Sequence, residues 1–316
     1  MNVDKETKAL LQQLNANAPD MSQVEVSIGL ARQGAKAMFL GFDLPEQNDC
    51  IVGDRAVDVG TRGIQIRVYQ PAQTLLNKKP VVVFMHGGGW SVGDVDCYDG
   101  LVRSLCQQSD VIFVSIEYRL APEHPYPAGL NDCVEIVNWL RVNGAEIGAD
   151  TSSIALMGDS AGGNLALVTA DKIHRQNAFR LAALYLLYPV VDSASAHSAY
   201  ASRQQFGKGE YLLTNAAISD TRDWYLDANT RADDPSVSPI FMNSFAHLPT
   251  TSILLAGCDP LYSEGVALAS KLKKAGVLKR LNCFESTIHA FVSFGMLPIA
   301  REARRLIAQQ VKADLN

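Results

Sequence analysis

The sequence predicts an α/β fold, a mostly parallel central sheet flanked by helices and carrying a helical cap. From Val81 onward, apolar runs rich in β-branched residues alternate with longer stretches of helical period, the pattern of parallel strands covered on both faces by crossover helices. At residues 158–162 a glycine-bearing turn joins one such run directly to a helical stretch. Two segments, at the amino terminus and after Val191, break the alternation.

Taken in order, residues up to about Phe42 read as helical, with Leu10, Leu11, Leu14, Val24, Ile28, Leu30, Ala31 and Met38 at the apolar positions. Cys50–Val59 and Ile64–Tyr69 flank a turn at Gly60–Gly63 and read as an antiparallel hairpin opening the sheet. Strands follow at Val81–Met85, Val111–Tyr118, Ile154–Gly158, Leu181–Tyr188, Ser252–Ala256 and Arg280–Glu285. Helices are expected near Tyr98–Gln107, Asp132–Val142, Ala161–Arg175, Ser263–Ala275 and Ile299–Val311. Residues 192–233 form a polar stretch followed by a helix at Thr214–Leu226. Together with residues 1–45 they suit a lid over the carboxyl edge of the sheet, where open α/β sheets place their ligands; a decorative insertion on one sheet face is the alternative. The division expected is thus 1–45 and 192–233 as cap, 46–191 and 234–316 as core.

Composition narrows the field without naming an activity. A chain of 316 residues buries about three quarters of its unfolded surface, ample for one large core. A net charge of −5, with 47% apolar and 19% charged residues, describes an ordered globular protein and argues against a nucleic-acid partner. The amino terminus lacks the basic start and unbroken apolar stretch of a signal peptide. The longest nearly unbroken apolar run, Leu181–Val191, is well short of the roughly 20 residues of a membrane span. Cys50, Cys97, Cys106, Cys133, Cys258 and Cys283 form no CxxC or metal-ligand cluster, so free thiols, a cytoplasmic location and no stable membrane insertion are expected.

Gly158-Asp159-Ser160-Ala161-Gly162 is a G-x-S-x-G directly after the strand SIALM and directly before a helical run. That setting forces a turn so tight that only glycines fit beside the serine, whose hydroxyl is left exposed. A bare match arises by chance about once in ten such chains. What strengthens it is His86-Gly87-Gly88-Gly89-Trp90 after the strand VVVF, a run whose chance occurrence is on the order of one in several hundred. Glycines there let backbone N–H groups approach a reacting carbonyl where negative charge develops. Gly87 and Gly88 are the expected donors, with Ala161 as a third. The alternative, a phosphate-cradling loop, lacks both GxxxxGK[ST] and GxGxxG.

A serine hydroxyl needs a base within hydrogen-bond reach, and the base needs a carboxylate to orient it. In this architecture the order is serine, acid, histidine. Of the six histidines, His86 and His124 precede Ser160, His174 lies in the helix it starts, His197 falls in the cap and His247 precedes the acid-bearing strand. His289 remains, in the loop after the last strand. Asp259, just beyond Ser252–Ala256, is better placed than Glu264 or Glu285; alone it would read as a helix cap or turn residue, and the joint order with Ser160 and His289 overturns that.

These motifs, with Tyr118-Arg119-Leu120-Ala121-Pro122-Glu123, Gly163-Asn164, Asp259-Pro260-Leu261 and His289-Ala290-Phe291, resemble the hormone-sensitive-lipase-like family of α/β-hydrolases, especially bacterial acetyl-esterase-like members, over most of the chain. The resemblance implies an α/β-hydrolase fold and a carboxylic-ester hydrolase with Ser160 as nucleophile, His289 as base, Asp259 as its orienter, and Gly87, Gly88 and Ala161 as oxyanion donors. One departure is Tyr262-Ser263-Glu264, where family members commonly carry Arg-Asp-Glu; it puts the local support of the acid in question.

Asp159 points away from the serine beside it and reads as structural. His86 reads as a local brace of the glycine loop, and Arg119 with Glu123 as a buried ion pair or loop brace. Trp90, Tyr126, Tyr188 and Phe291 flank the catalytic segments as pocket or core. The expectation is a short-chain carboxylesterase working through an acyl-enzyme, with a small-molecule ester as substrate, no cofactor or metal, and a homodimer through the last strand or helix. Same-fold cleavage of amides, lactones or carbamates, and a non-catalytic ligand-binding relative, are the rivals.

Overall fold

In the computed structural model, which describes residues 3–16, 27–43, 49–60, 62–72, 78–176 and 179–316, eight strands share one sheet. They are β1 (Ile51–Val59), β2 (Arg62–Gln70), β3 (Lys79–Met85), β4 (Ile112–Glu117), β5 (Ala149–Asp159), β6 (Leu184–Leu187), β7 (Thr251–Cys258) and β8 (Leu278–Ile288), in the order β1-β2-β4-β3-β5-β6-β7-β8. β1 and β2 pair antiparallel with Ile51 opposite Gln70, and β2 pairs antiparallel with β4; every later neighbour is parallel. The expected hairpin and the parallel core are thus both present. β6 is shorter than Leu181–Tyr188, although hydrogen bonds to its neighbours run past both ends: Ala182 N–H donates to Ile154 O and Ala183 O accepts from Leu156 N–H before it, and Tyr188 N–H donates to Leu254 O after it.

Nine α-helices are described: α1 (Lys5–Ala16), α2 (Ile28–Phe42), α3 (Asp99–Ser109), α4 (Ala128–Asn143), α5 (Ala161–Arg175), α6 (Ala201–Phe206), α7 (Asn215–Tyr225), α8 (Tyr262–Lys274) and α9 (Pro298–Leu315). Ser27 caps α2 by accepting from Leu30 N–H, and Thr214 caps α7 by accepting from Ala217 N–H. α6 was not expected, since six residues of mixed polarity carry no readable period. Val24, expected on the first helical stretch, lies outside the described residues.

Period-2 alternation along buried strands makes two cores. On β3, Val81, Val83 and Met85 pack with Leu130 and Ile136 of α4 and Leu165 of α5. Val82 and Phe84 face the other way, onto Leu101 and Leu105 of α3 and Ile307 of α9. Each such side chain, fully removed from water, stabilises by about 1.5–3 kcal/mol. A sheet covered on both faces leaves only its strand ends open for a site, and the carboxyl ends of β5, β7 and β8 lie along one edge, with β6 between β5 and β7.

Candidate active site

β5 stops at Asp159 and α5 starts at Ala161, so Ser160 alone makes the turn, with φ 54° and ψ −120°. A non-glycine residue there is strained and is held by its surroundings. Ser160 N–H donates to Leu187 O at 2.9 Å, and its carbonyl accepts from Asn164 and Val190. A side chain at Gly162 would overlap the carbonyl oxygens of Met85 and His86, which is why the tight turn requires glycine. Ser160 is 8% exposed, its hydroxyl at the amino end of α5.

Asp259 follows β7 and His289 follows β8. The three side chains form a line: His289 Nε2 lies 2.9 Å from Ser160 Oγ, and His289 Nδ1 lies 2.7 Å from Asp259 Oδ2. A carboxylate can only accept, so Nδ1 carries the proton and Nε2 is left to accept from the serine hydroxyl. Asp259 Oδ1 accepts from Leu261 N–H at 2.8 Å, which fixes the carboxylate. Burial by itself would lower the His289 pKa, but the charge and hydrogen bond of Asp259 outweigh it, and the net direction is upward. Tyr188 packs edge-on against the imidazole at 5.0 Å.

The glycine loop departs from expectation at one residue. Gly87 N–H donates to Asp159 Oδ1 at 2.7 Å, so it is spent inside the protein and cannot serve an oxyanion. Gly88 and Gly89 instead line the cavity at Ser160, and among the described residues no protein acceptor takes their N–H groups. Both have positive φ, 108° and 56°. Ala161 is the first residue of α5, where the N–H has no intrahelical partner. His86 Nδ1 lies 2.8 Å from Gly87 O and its ring stacks on Tyr118 at 4.3 Å. Burial pushes the His86 pKa down to about 4, so the ring stays neutral and donates to that carbonyl.

The cavity over Ser160 and His289 measures about 270 Å³. Met38 and Phe39 of α2, Leu213, Ile218 and Thr221 in and before α7, and Trp90 form most of its apolar wall. Of the four aromatics singled out in the sequence, Trp90 reaches the cavity, stacked on Tyr225 at 4.3 Å. The other three do not. Tyr188 and Phe291 are 1% and 0% exposed, packed behind His289, and Tyr126 turns outward to share a 2.6 Å hydrogen bond with Ser236. Arg119 and Glu123 are not partners either: Arg119 pairs with Asp132, and Glu123 with Arg32 of α2, whose Nε also donates to Ser91 O.

The support of the acid comes from a source the sequence hid. Ser263 and Ser202 exchange hydrogen bonds, Ser263 N–H to Ser202 Oγ at 3.0 Å and Ser202 N–H to Ser263 Oγ at 3.2 Å. Ser202 Oγ donates to Pro260 O at 2.6 Å. Glu264, 0% exposed, accepts from Val191 N–H at 2.8 Å and pairs with Arg203, 1% exposed, through Nε at 3.0 Å and Nη2. α6 is thereby pinned to α8 directly behind Asp259.

A serine, an imidazole and a carboxylate in this line can pass a hydroxyl proton to the imidazole while the carboxylate stabilises the imidazolium. A family model described as alpha/beta hydrolase fold matches residues 82–293, and the chain belongs to the α/β-hydrolase family, in its hormone-sensitive-lipase-like branch. It is similar to esterase LipI of Mycobacterium tuberculosis, 34% identical over 277 residues covering 85% of each chain. It is 31% identical to ethyl acetate hydrolase of Pseudomonas putida over 258 residues, 80% of this chain and 79% of that one. The crystal structure of a thermostable esterase from Pseudomonas putida superposes with a TM-score of 0.92 at 28% identity, covering 100% of this chain and 98% of that one.

Proposed function

We propose that this chain is a serine carboxylic-ester hydrolase acting on short-chain esters of small molecules. The observation that carries the reading is the hydrogen-bonded line from Asp259 through His289 to Ser160, opening on an apolar cavity. Ser160 Oγ attacks the ester carbonyl carbon as its proton moves to His289 Nε2. The oxyanion is held by the N–H groups of Gly88, Gly89 and Ala161. As the tetrahedral intermediate collapses, the carbon–oxygen bond to the alcohol breaks and Nε2 returns the proton to the leaving oxygen. Water repeats the sequence on the acyl-enzyme, releasing the acid and restoring Ser160. α2, with the α6–α7 segment, acts as the cap.

The pH dependence follows from the base. The reaction needs neutral His289, and Asp259 holds its pKa above 6.5, so kcat/KM should rise with pH through an apparent pKa above that of a free imidazole. Asp259→Asn should move that limb to lower pH and lower kcat by about 10⁴-fold. A limb that does not move between the two proteins would remove Asp259 from the role.

Substrate size follows from the cavity. Each methylene newly buried adds about 0.8 kcal/mol, roughly a fourfold gain in kcat/KM, until the roughly 270 Å³ space is full. Activity on p-nitrophenyl esters should therefore peak between acetate and hexanoate. A rate that climbs steadily from butanoate to palmitate would overturn the assignment of chain length.

Among the described residues, no helix is long and apolar enough to cross a membrane. The six cysteines are unpaired, which supports a reducing, cytoplasmic setting. β8 is a sheet edge with Leu281 45% exposed, which supports a homodimer through that strand.

A further inference from the structure

Asp159 is fully buried yet has no place in the proton relay, because Asp259 already holds His289 Nδ1. Its carboxylate reaches instead across 72 positions of sequence to the glycine loop, where Oδ1 accepts Gly87 N–H at 2.7 Å. Oδ2 accepts from Tyr98 Oη at 3.3 Å. A Cβ at Gly87 would stand 2.6 Å from Oδ2, so carboxylate and glycine are fitted to each other. The next two residues, Gly88 and Gly89, are those whose N–H groups have no protein acceptor among the described residues and which line the cavity at Ser160.

We propose that Asp159 is the positioning residue of the oxyanion hole: by fixing the Gly87 peptide, its carboxylate aims the two following amides at the reacting carbonyl. This rests on the esterase reading above and deepens it. Gly87 N–H lies in the His86–Gly87 peptide plane, and Gly88 N–H shares the next rigid plane with the Gly87 carbonyl, which His86 Nδ1 holds at 2.8 Å. With Asp159 on the first plane and His86 on the second, the dihedrals of Gly87 are fixed between them. Without the anchor, Gly87 to Gly89 would have access to the wide backbone freedom of glycine. The residue before the nucleophile is the natural anchor, since it shares the rigid end of β5 with Ser160 and so registers the hole to the attacking oxygen. Four titratable side chains neighbour this carboxylate: Tyr98, Tyr118, Tyr188 and His289. Burial outweighs the opposing pull of His289 and the Gly87 N–H, and the Asp159 pKa is raised to about 7. The hydrogen bond from Gly87 needs only an acceptor, which both protonation states offer.

The test compares Asp159→Ala with Asp159→Asn, whose side-chain oxygen can still accept from Gly87. Asp159→Ala should lower kcat by about 10²–10³-fold, the worth of one oxyanion donor, with KM within about threefold on an acetate ester. Affinity for an alkylboronic acid, which mimics the tetrahedral intermediate, should fall by a similar factor. Asp159→Asn should keep both kcat and boronate affinity within about tenfold of the parent. Should Asp159→Ala not fold, Asp159→Ser, whose hydroxyl is too short to reach Gly87 from that backbone, is read the same way. The proposal is overturned if the truncated variant keeps kcat within threefold, if its kcat falls while boronate affinity holds, or if folded Asp159→Asn loses as much as Asp159→Ala. Full activity of Ser160→Ala would instead sink the esterase reading beneath it.

Discussion

Ser160→Ala should lower kcat for p-nitrophenyl acetate by on the order of 10⁴–10⁶-fold while leaving the melting temperature unchanged or slightly raised. The size follows from what the hydroxyl does. Without it no acyl-enzyme can form, and only the oxyanion donors and the positioning of substrate remain, which in serine hydrolases leave about 10³–10⁴-fold over water. The absence of a structural penalty follows from the turn: Ser160 is held by its backbone bonds to Leu187, Asn164 and Val190, none of which uses Oγ. Its φ of 54° is strained for serine and alanine alike. Steady-state kinetics on the purified variant, with a serine-reactive phosphonate as control on the parent, measures the loss. A variant that keeps more than about one percent of parental kcat would remove Ser160 as nucleophile.

Glu264→Leu carries the largest expected cost in stability. Arg203 and Glu264 are 1% and 0% exposed and bonded through two nitrogens. Removing the carboxylate leaves a guanidinium buried without its counter-ion and strips the acceptor from Val191 and Asp192 N–H. Breaking such a pair costs about 3–5 kcal/mol, roughly 5–10 °C in melting temperature for a chain of this size. The paired variant Arg203→Met with Glu264→Leu should recover a good part of that loss, because two apolar side chains pay no desolvation penalty for a lone charge. Calorimetry on the parent, the two single variants and the double variant closes the cycle. A single Glu264→Leu within 1 kcal/mol of the parent would show that the pair is energetically idle. Val190 and Ser193 line the cavity next to this clamp, so a slackened clamp should also broaden acyl-chain preference.

The candidate triad was legible because each of its residues follows a strand. Ser160, Asp259 and His289 each come directly after the end of their own strand, in the order that this topology demands, and strand patterning with chain order is enough to single them out. The glycine loop was legible as a loop but not donor by donor. Which N–H faces the cavity depends on Asp159 claiming Gly87, a contact between segments 72 positions apart. The aromatics were left open between pocket and core for a related reason: whether Tyr188 or Trp90 sees the cavity is set by the turn each occupies, not by its neighbours in sequence. Pocket-forming residues such as Leu213, before α7, and Ile218, on it, gave no signal, since an apolar residue in a short helical segment reads the same whether it faces core or cavity. Arg203 with Glu264 and Arg32 with Glu123 were likewise invisible, because charged partners 61 and 91 positions apart leave no local periodicity.

By itself, then, the sequence determined the doubly covered parallel sheet and singled out Ser160, His289 and Asp259 as the candidates for nucleophile, base and acid, because both rest on periodicities, turn chemistry and chain order that can be read without the fold. Only the tertiary structure decided which amides can meet an oxyanion, which side chains shape the cavity and what braces the acid. Those depend on groups brought together across the sheet edge, where buried polar atoms must find partners wherever the fold happens to put them.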